Sequence, residues 1–253
     1  MFLDPIDITP ESNPRELVRR HLRAAAVLNA YGIEYCCAAQ GTLQMACRVK
    51  GIEPDQLLRD LQEACRVIQV PVDISYQDWN TDFLADYIVH VYHLSLRKSL
   101  PSIEAALEKF TQEHRKKYAY FEEVLDKFRA LRAAMLEHIT QEEEHIFPYL
   151  RQVAHAYAER DSDELAGLLV RTLRKPLKSL VENEHRLLED SIFQFRLLTA
   201  NYEPPGNACP AHRVILARLR ELDNDLVQHF YLENRVLIPR IIEMEGELLK
   251  GNL

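Results

Sequence analysis

Glycine is scarce in this chain, with seven in 253 residues, and runs of β-branched residues are few. Turn-rich β architectures are thereby disfavoured, and long stretches dominated by Ala, Leu, Glu, Arg and Lys read as nearly all helix. Uninterrupted apolar runs are also missing: charges break each one before it reaches the ~18 residues of a membrane span. There is no surplus of basic charge. A formal net charge of -8 argues against a general nucleic-acid or anionic-membrane binder, because such partners reward clustered Lys and Arg. Cysteine stops at five (Cys36, Cys37, Cys47, Cys65, Cys209), an odd number at irregular spacing that does not make a disulfide framework, so reduced thiols are expected. The start, Met1-Phe2-Leu3-Asp4-Pro5, lacks the basic-then-apolar pattern of a secretion signal, and a cytoplasmic location is expected.

What remains is an ordinary globular composition, 47% apolar and 28% charged, over a length that holds one large domain and a small one. Val70-Pro71-Val72-Asp73-Ile74-Ser75 interrupts the helical pattern and separates a small N-terminal helical domain, 1–72, from a bundle over 78–253. In the first part, Asn13-Pro14 reads as a helix start and Gly32 as the stop of one helix carrying Leu17, Leu22, Ala25, Ala26 and Leu28. Short helices are expected near Thr42 to Val49 and after Pro54, making a unit of three. In the second part four long amphipathic stretches follow. The first carries Phe83, Leu84, Tyr87, Ile88 and Val91 and is expected to kink or end at Pro101, and the second to break at Pro148. The third follows a cap at Ser162 and carries Leu165, Leu168, Leu169, Leu180, Leu187 and Leu188. The fourth follows the turn Pro204-Pro205-Gly206. Short connections between such helices predict an all-α, antiparallel four-helix bundle.

Two segments repeat one pattern: His138-Ile-Thr-Gln-Glu142 leading to Pro148, and His229-Phe-Tyr-Leu-Glu233 leading to Pro239. Both read His, three residues, Glu, five residues, Pro. Positions four apart share a helix face, with Cβ atoms about 5–6 Å apart, so each segment aims one imidazole and one carboxylate in a single direction. One copy would be an ordinary solvated pair; two copies with matched prolines, on the second and fourth stretches, point to a shared site. His93 on the first stretch and His185 on the third let every helix contribute an imidazole to one layer. Imidazole with carboxylate suits iron or manganese, and zinc less distinctively. Two bridging carboxylates with two histidines per metal leave positions open for a diatomic ligand or an oxo bridge.

A rival pattern, Glu142-x-x-His145 with Glu182-x-x-His185, matches the motif of ferritin-like carboxylate proteins, with Asp82 and Asp86 the nearest further carboxylates on the first stretch. It leaves His93, His138 and His229 without a role. His90 and His93 are three apart, and hydrophobic periodicity alone does not say which of them points inward; where His93 is the ligand, His90 packs or supports it. His114 lies roughly 30 Å along the helix from either motif at 1.5 Å per residue and is read as structural or as a separate surface site. His21, His145, His155 and His212 are read as solvated or satisfied, and Glu143 and Glu144 as a solvated face. Cys36 and Cys37 are either small packed residues or, as adjacent thiols near a chain reversal, suited to redox, persulfide or transient metal chemistry.

These residues resemble the bacterial repair-of-iron-centres family, in which a small N-terminal domain precedes a hemerythrin-like di-iron bundle. The likeness rests on Tyr31-Gly32-Ile33-Glu34-Tyr35-Cys36-Cys37, Tyr92-His93, His138 with Glu142 and Phe147-Pro148, Glu184-His185, and His229 with Leu232-Glu233-Asn234 and Pro239. Pro204-Pro205 with Ala208-Cys209 fits as well. Family members commonly follow the cysteine pair with two glycines, where this chain has Ala38-Ala39. The resemblance implies that His93, His138, His185 and His229 are terminal ligands of two non-haem irons, with Glu142 and Glu233 bridging. It further implies a stress-response protein that restores iron-sulfur clusters damaged by nitric oxide or peroxide by supplying iron. Iron-sulfur proteins would then be its partners, with nitric oxide or oxygen as ligands and a homodimer as one assembly. Two other functions remain open at this stage, a hemerythrin-like oxygen or nitric oxide sensor or carrier and a nitric oxide reductase.

Overall fold

In the computed structural model, residues 7–36, 41–65, 74–158 and 177–250 are described. Cys37, Val70 to Asp73, Ser162, Leu165, Leu168 and Leu169, all used above, lie outside these residues. By compactness the chain divides into two units, Met1–Asp73 with Tyr202–Leu219, and Ile74–Asn201 with Arg220–Leu253. The sequence boundary placed Tyr202–Leu219 with the bundle. That segment groups instead with the N-terminal unit, where Val214 is buried in its core. Sequence distance conceals such a grouping.

Among the described residues, the N-terminal part of the first unit folds into α1 (Pro14–Arg20), α2 (Ala24–Ala30), α3 (Leu43–Lys50) and α4 (Pro54–Cys65). The single helix expected between Asn13 and Gly32 is two. The Asn13 side chain accepts from the backbone N–H groups of Arg15 and Glu16, as its capping role requires. His21, however, is extended (φ -132°), and the break at His21–Arg23 turns the chain before α2. Gly32 ends α2 at φ +63°, a left-handed conformation in which Ile33 N–H reaches back to Leu28 O at 2.8 Å. Thr42 caps α3 on the Met45 N–H, and Gly51 closes it at φ 67°. Leu17, Val18, Leu28, Leu43, Leu57 and Leu61 form the apolar centre.

The second unit is the all-α bundle. Its first member runs as α5 (Thr81–Tyr87), a π-helical stretch Ile88–His93, and α6 (Leu94–His114). Asn80 caps it on the Phe83 N–H. Pro101 does not end this helix; it lies inside α6. A mid-helix proline costs ~3 kcal/mol or more. The buried seam Leu96, Leu100, Ile103, Leu107 and Phe110 continues on both sides of the proline and offsets that cost. The second member is α7 (Phe121–Gln141), a π-helical stretch Glu142–Ile146, and α8 (Phe147–Ala158), so the chain does not break at Pro148 either. The third is α9 (Leu177–Leu198). The fourth continues from α10 (Pro210–Tyr231), inside which the two units divide, through a π-helical stretch Leu232–Leu237 into α11 (Ile238–Lys250). Phe83, Val91 and Leu187, expected to face the core, are exposed, while Leu84, Ile88 and Leu188 are buried. No helix among the described residues is long and apolar enough to cross a membrane.

The three π-helical stretches among the described residues carry His93, Glu142 and Glu233. Phe147 N–H bonds to Glu142 O and Ile238 N–H to Glu233 O, each five residues back, as Leu94 N–H does to Val89 O. Single π-turns inside α-helices concentrate at functional sites. Pro148 and Pro239 come at the next position, in the first turn after the change of register, where a residue without an N–H is tolerated. The matched prolines of the sequence repeat therefore mark widened turns.

Candidate metal centre

Each bundle member brings one histidine to a common layer: His93 at the end of the first π-helical stretch, His138 near the end of α7, His185 on α9 and His229 near the end of α10. Glu142 and Glu233 open the second and third π-helical stretches. None of the six is more than 4% exposed. The Nε2 atoms converge: His93 and His229 face each other at 3.1 Å, and His185 and His138 at 3.2 Å. Glu142 Oε2 lies 3.4 Å from His93 Nε2 and 3.3 Å from His138 Nε2, so it reaches both pairs. Glu233 does the same, with Oε1 at 2.7 Å from His229 Nε2 and Oε2 at 3.5 Å from His185 Nε2. Two sets of donor atoms result, His93-Glu142-His229-Glu233 and His138-Glu142-His185-Glu233, in each of which all atoms lie within 4.8 Å of one another. The carboxylates belong to both sets.

Burial disfavours the charged form of Glu142, yet the surrounding His138, His185, His93 and His229 hold its carboxyl well below the ordinary carboxylate range. His185 and His93 move the other way. Burial acts to lower the His185 pKa, but Glu142, Glu233 and Asn234 outweigh it and push it up to about 9. His93 is likewise raised, against burial, by Glu142, Glu233 and Glu143. Even so, Glu142 Oε2 and both carboxylate oxygens of Glu233 are buried without a hydrogen-bond partner, the 2.7 Å approach of His229 being badly aligned for one. Unpaired carboxylate oxygens in a dry interior are costly, and a multivalent cation removes that cost. The donor set fits a metal: imidazole nitrogens and carboxylate oxygens, buried, in number and type suited to a borderline or hard ion.

Two residues that the sequence reading set aside, or passed over, shape this layer. Glu143, read as solvated, places Oε1 2.9 Å from His93 Nδ1, with its other oxygen 3.2 Å from Arg97. Asn234 Oδ1 lies 2.8 Å from His185 Nδ1. With Nε2 turned inward, each Nδ1–H donates outward, which fixes the ring. Each orienting group is the residue immediately after a shared glutamate, so the repeat held the signal; the π-turn that brings consecutive residues to bear was not visible in it. Phe147 stacks on His93 at 5.6 Å, and Phe230 lies 4.9 Å from His185.

The remaining candidates separate from the layer. His90 and His145 are exposed, so neither packs in the core, and the ferritin-like motif through His145 has no inward imidazole. Asp82 and Asp86, its further carboxylates, pair with Arg151, and Asp82 also with His155. His114 stacks on Phe110 at 4.3 Å and donates from Nδ1 to Phe110 O, a structural role. Cys36 is half-buried, while Cys47 and Cys65 are buried in the first unit; burial pushes both of the latter thiols up.

Two family models match the chain. Residues 13–65 match ScdA_N, a domain of unknown function (DUF542). Residues 84–178 match the hemerythrin HHE cation-binding domain. In order along the chain, a segment similar to ScdA_N is followed by one similar to the hemerythrin domain. This is the build that the resemblance to the repair-of-iron-centres proteins implies. The hemerythrin match takes in His93, His138 and Glu142 and stops before His185, so the second half of the layer rests on the geometry above. The chain is 29% identical over 236 residues to the iron-sulfur cluster repair protein ScdA of Staphylococcus haemolyticus, covering 92% of this chain and 99% of that one. It is 28% identical to the iron-sulfur cluster repair protein YtfE of Enterobacter sp., covering 91% and 96%. For YtfE of Escherichia coli the identity is 26%, covering 88% and 93%.

Proposed function

We propose that this hemerythrin-type domain holds two iron ions, each bound by two histidines, and that the protein repairs iron-sulfur clusters damaged by oxidative or nitrosative stress by donating iron. His93 with His229, and His138 with His185, are the terminal pairs in this reading. Glu142 and Glu233 would serve both ions, and the positions left over would be open to an oxo group or another small ligand. The observation that carries it is the pair of buried carboxylates, each within reach of both histidine pairs and left with unpartnered oxygens. Full-length relatives named for iron-sulfur cluster repair support the choice of reaction. A carrier of oxygen needs the bundle alone, whereas this chain keeps the ScdA_N domain as well.

When bound, the ions would supply redox-active metal with exchangeable ligand positions. The protein's own part is to hold four imidazoles with Nε2 inward, to keep Glu142 ionised, and to screen the layer from water with Phe147 and Phe230. Iron-sulfur proteins are the proposed partners, nitric oxide and oxygen the proposed ligands of the metals, the cytoplasm the proposed compartment, and Cys36 with Cys37 the proposed redox thiols. Anaerobic loading with ferrous iron, followed by incubation with an iron-sulfur enzyme inactivated by peroxide, tests the reading. Two irons per chain and recovery of enzyme activity are expected. Iron-loaded protein that restores no activity would overturn the repair function.

A further inference from the structure

The two metal positions differ in what supports them. At one, His93 donates to the Glu143 carboxylate, which Arg97 anchors, and Phe147 covers the ring. At the other, His185 meets the neutral amide of Asn234. A carboxylate behind a ligating imidazole raises its basicity, and loss of such a partner typically weakens metal binding roughly 10- to 100-fold. Of these two imidazoles, His185 is therefore the less firmly supported. Independently, a groove of about 840 Å³ in the bundle unit is lined by His185 and Asn234. Among the described residues its wall includes Arg186, Arg196 and Arg235, against one acidic side chain, Glu189. Asp223 holds Arg196, whereas Arg186 and Arg235 are exposed at the rim. The volume is that of a small-molecule site.

We infer that metal enters and leaves at the His138/His185 position through this groove, carried by a small anionic chelate. Arginines repel a bare divalent cation and attract a carboxylate- or sulfonate-bearing chelator, which arrives beside the less tightly supported imidazole. The exchange moves the ion, in unchanged oxidation state, from imidazole and carboxylate donors to those of the chelate; no electron is transferred. The metal at His93/His229 remains while its neighbour exchanges. This route rests on the two-iron reading above and extends it.

Iron release from the loaded, full-length protein under anaerobic conditions tests it, with two chromogenic ferrous chelators, anionic ferrozine and neutral 2,2′-bipyridine. Two phases of one iron each are expected with ferrozine. Asn234→Asp slows the fast phase about 10- to 100-fold, and Glu143→Gln accelerates the slow one by a similar factor. Arg186→Glu combined with Arg235→Glu slows the fast phase with ferrozine and leaves the rate with bipyridine unchanged. Because both arginines are exposed, this pair keeps the test decisive should Asn234→Asp fail to load, with iron content and circular dichroism as controls. One iron per chain, a single phase for two irons, or equal slowing with both chelators would overturn the route. Two-phase release without recovery of an inactivated enzyme defeats the repair reading and leaves the route standing; recovery with single-phase release does the reverse.

Discussion

The N-terminal unit and the bundle both bury apolar clusters, but among the described residues only the bundle buries a layer of imidazoles and carboxylates together. Around Leu28, Leu43, Leu57 and Leu61 the first unit closes on an apolar cluster. At a comparable depth the bundle buries four histidines and two glutamates. Apolar burial stabilises whatever the solution contains, whereas a buried charged layer stabilises only when something satisfies it. Stability in the first unit is thus set by packing, and in the bundle it should depend as well on what satisfies that layer.

The largest effect should come from Leu61→Ala, a fully buried side chain whose truncation costs about 2–5 kcal/mol. Denaturant unfolding followed by hydrogen exchange should place this loss in the first unit, with metal content unchanged. Removing metal should do the opposite. Ligand bound only to the native state contributes about 2.7 kcal/mol per site at a hundredfold excess over Kd, so chelation should lower the unfolding temperature of the bundle and spare exchange in α1–α4.

pH should separate the units as well. His185 is raised from its ordinary 6.5 to about 9 in the metal-free fold. A raised pKa contributes stability that is complete below the ordinary value and lost as pH rises through the folded one. Metal-free bundle should therefore weaken between pH 6.5 and about 9, and loading at pH 7 should release protons, measurable with an indicator dye. The same titration should leave the first unit's apolar core unaffected. A smaller loss, about 1 kcal/mol, is expected for Asn13→Ala, which removes the cap of α1; differential scanning calorimetry with and without metal should show it equally in both states.

The same contrast explains what could be seen in the sequence. Capping residues act locally, so Asn13, Gly32 and Thr42 revealed helix ends. The doubled His-Glu spacing marked Glu142 and Glu233, since one helix face brings each pair together. His93 and His185 needed the resemblance, because spacing alone does not choose between His90 and His93. Pro101 and Pro148 misled as helix ends, as helix interiors supported by long buried seams or widened at π-turns tolerate what an isolated helix does not. Glu143 and Asn234 were hidden for a related reason: their roles depend on a neighbouring helix 50 and 49 residues away in sequence.

The central claim is that one layer of six residues holds two metals through shared carboxylates. Metal analysis combined with Mössbauer spectra of the wild type, Glu142→Ala and Glu233→Ala tests it most directly. Two spin-coupled irons in the wild type, with the coupled pair lost in both variants, is the predicted result. An intact coupled pair in either variant would contradict it.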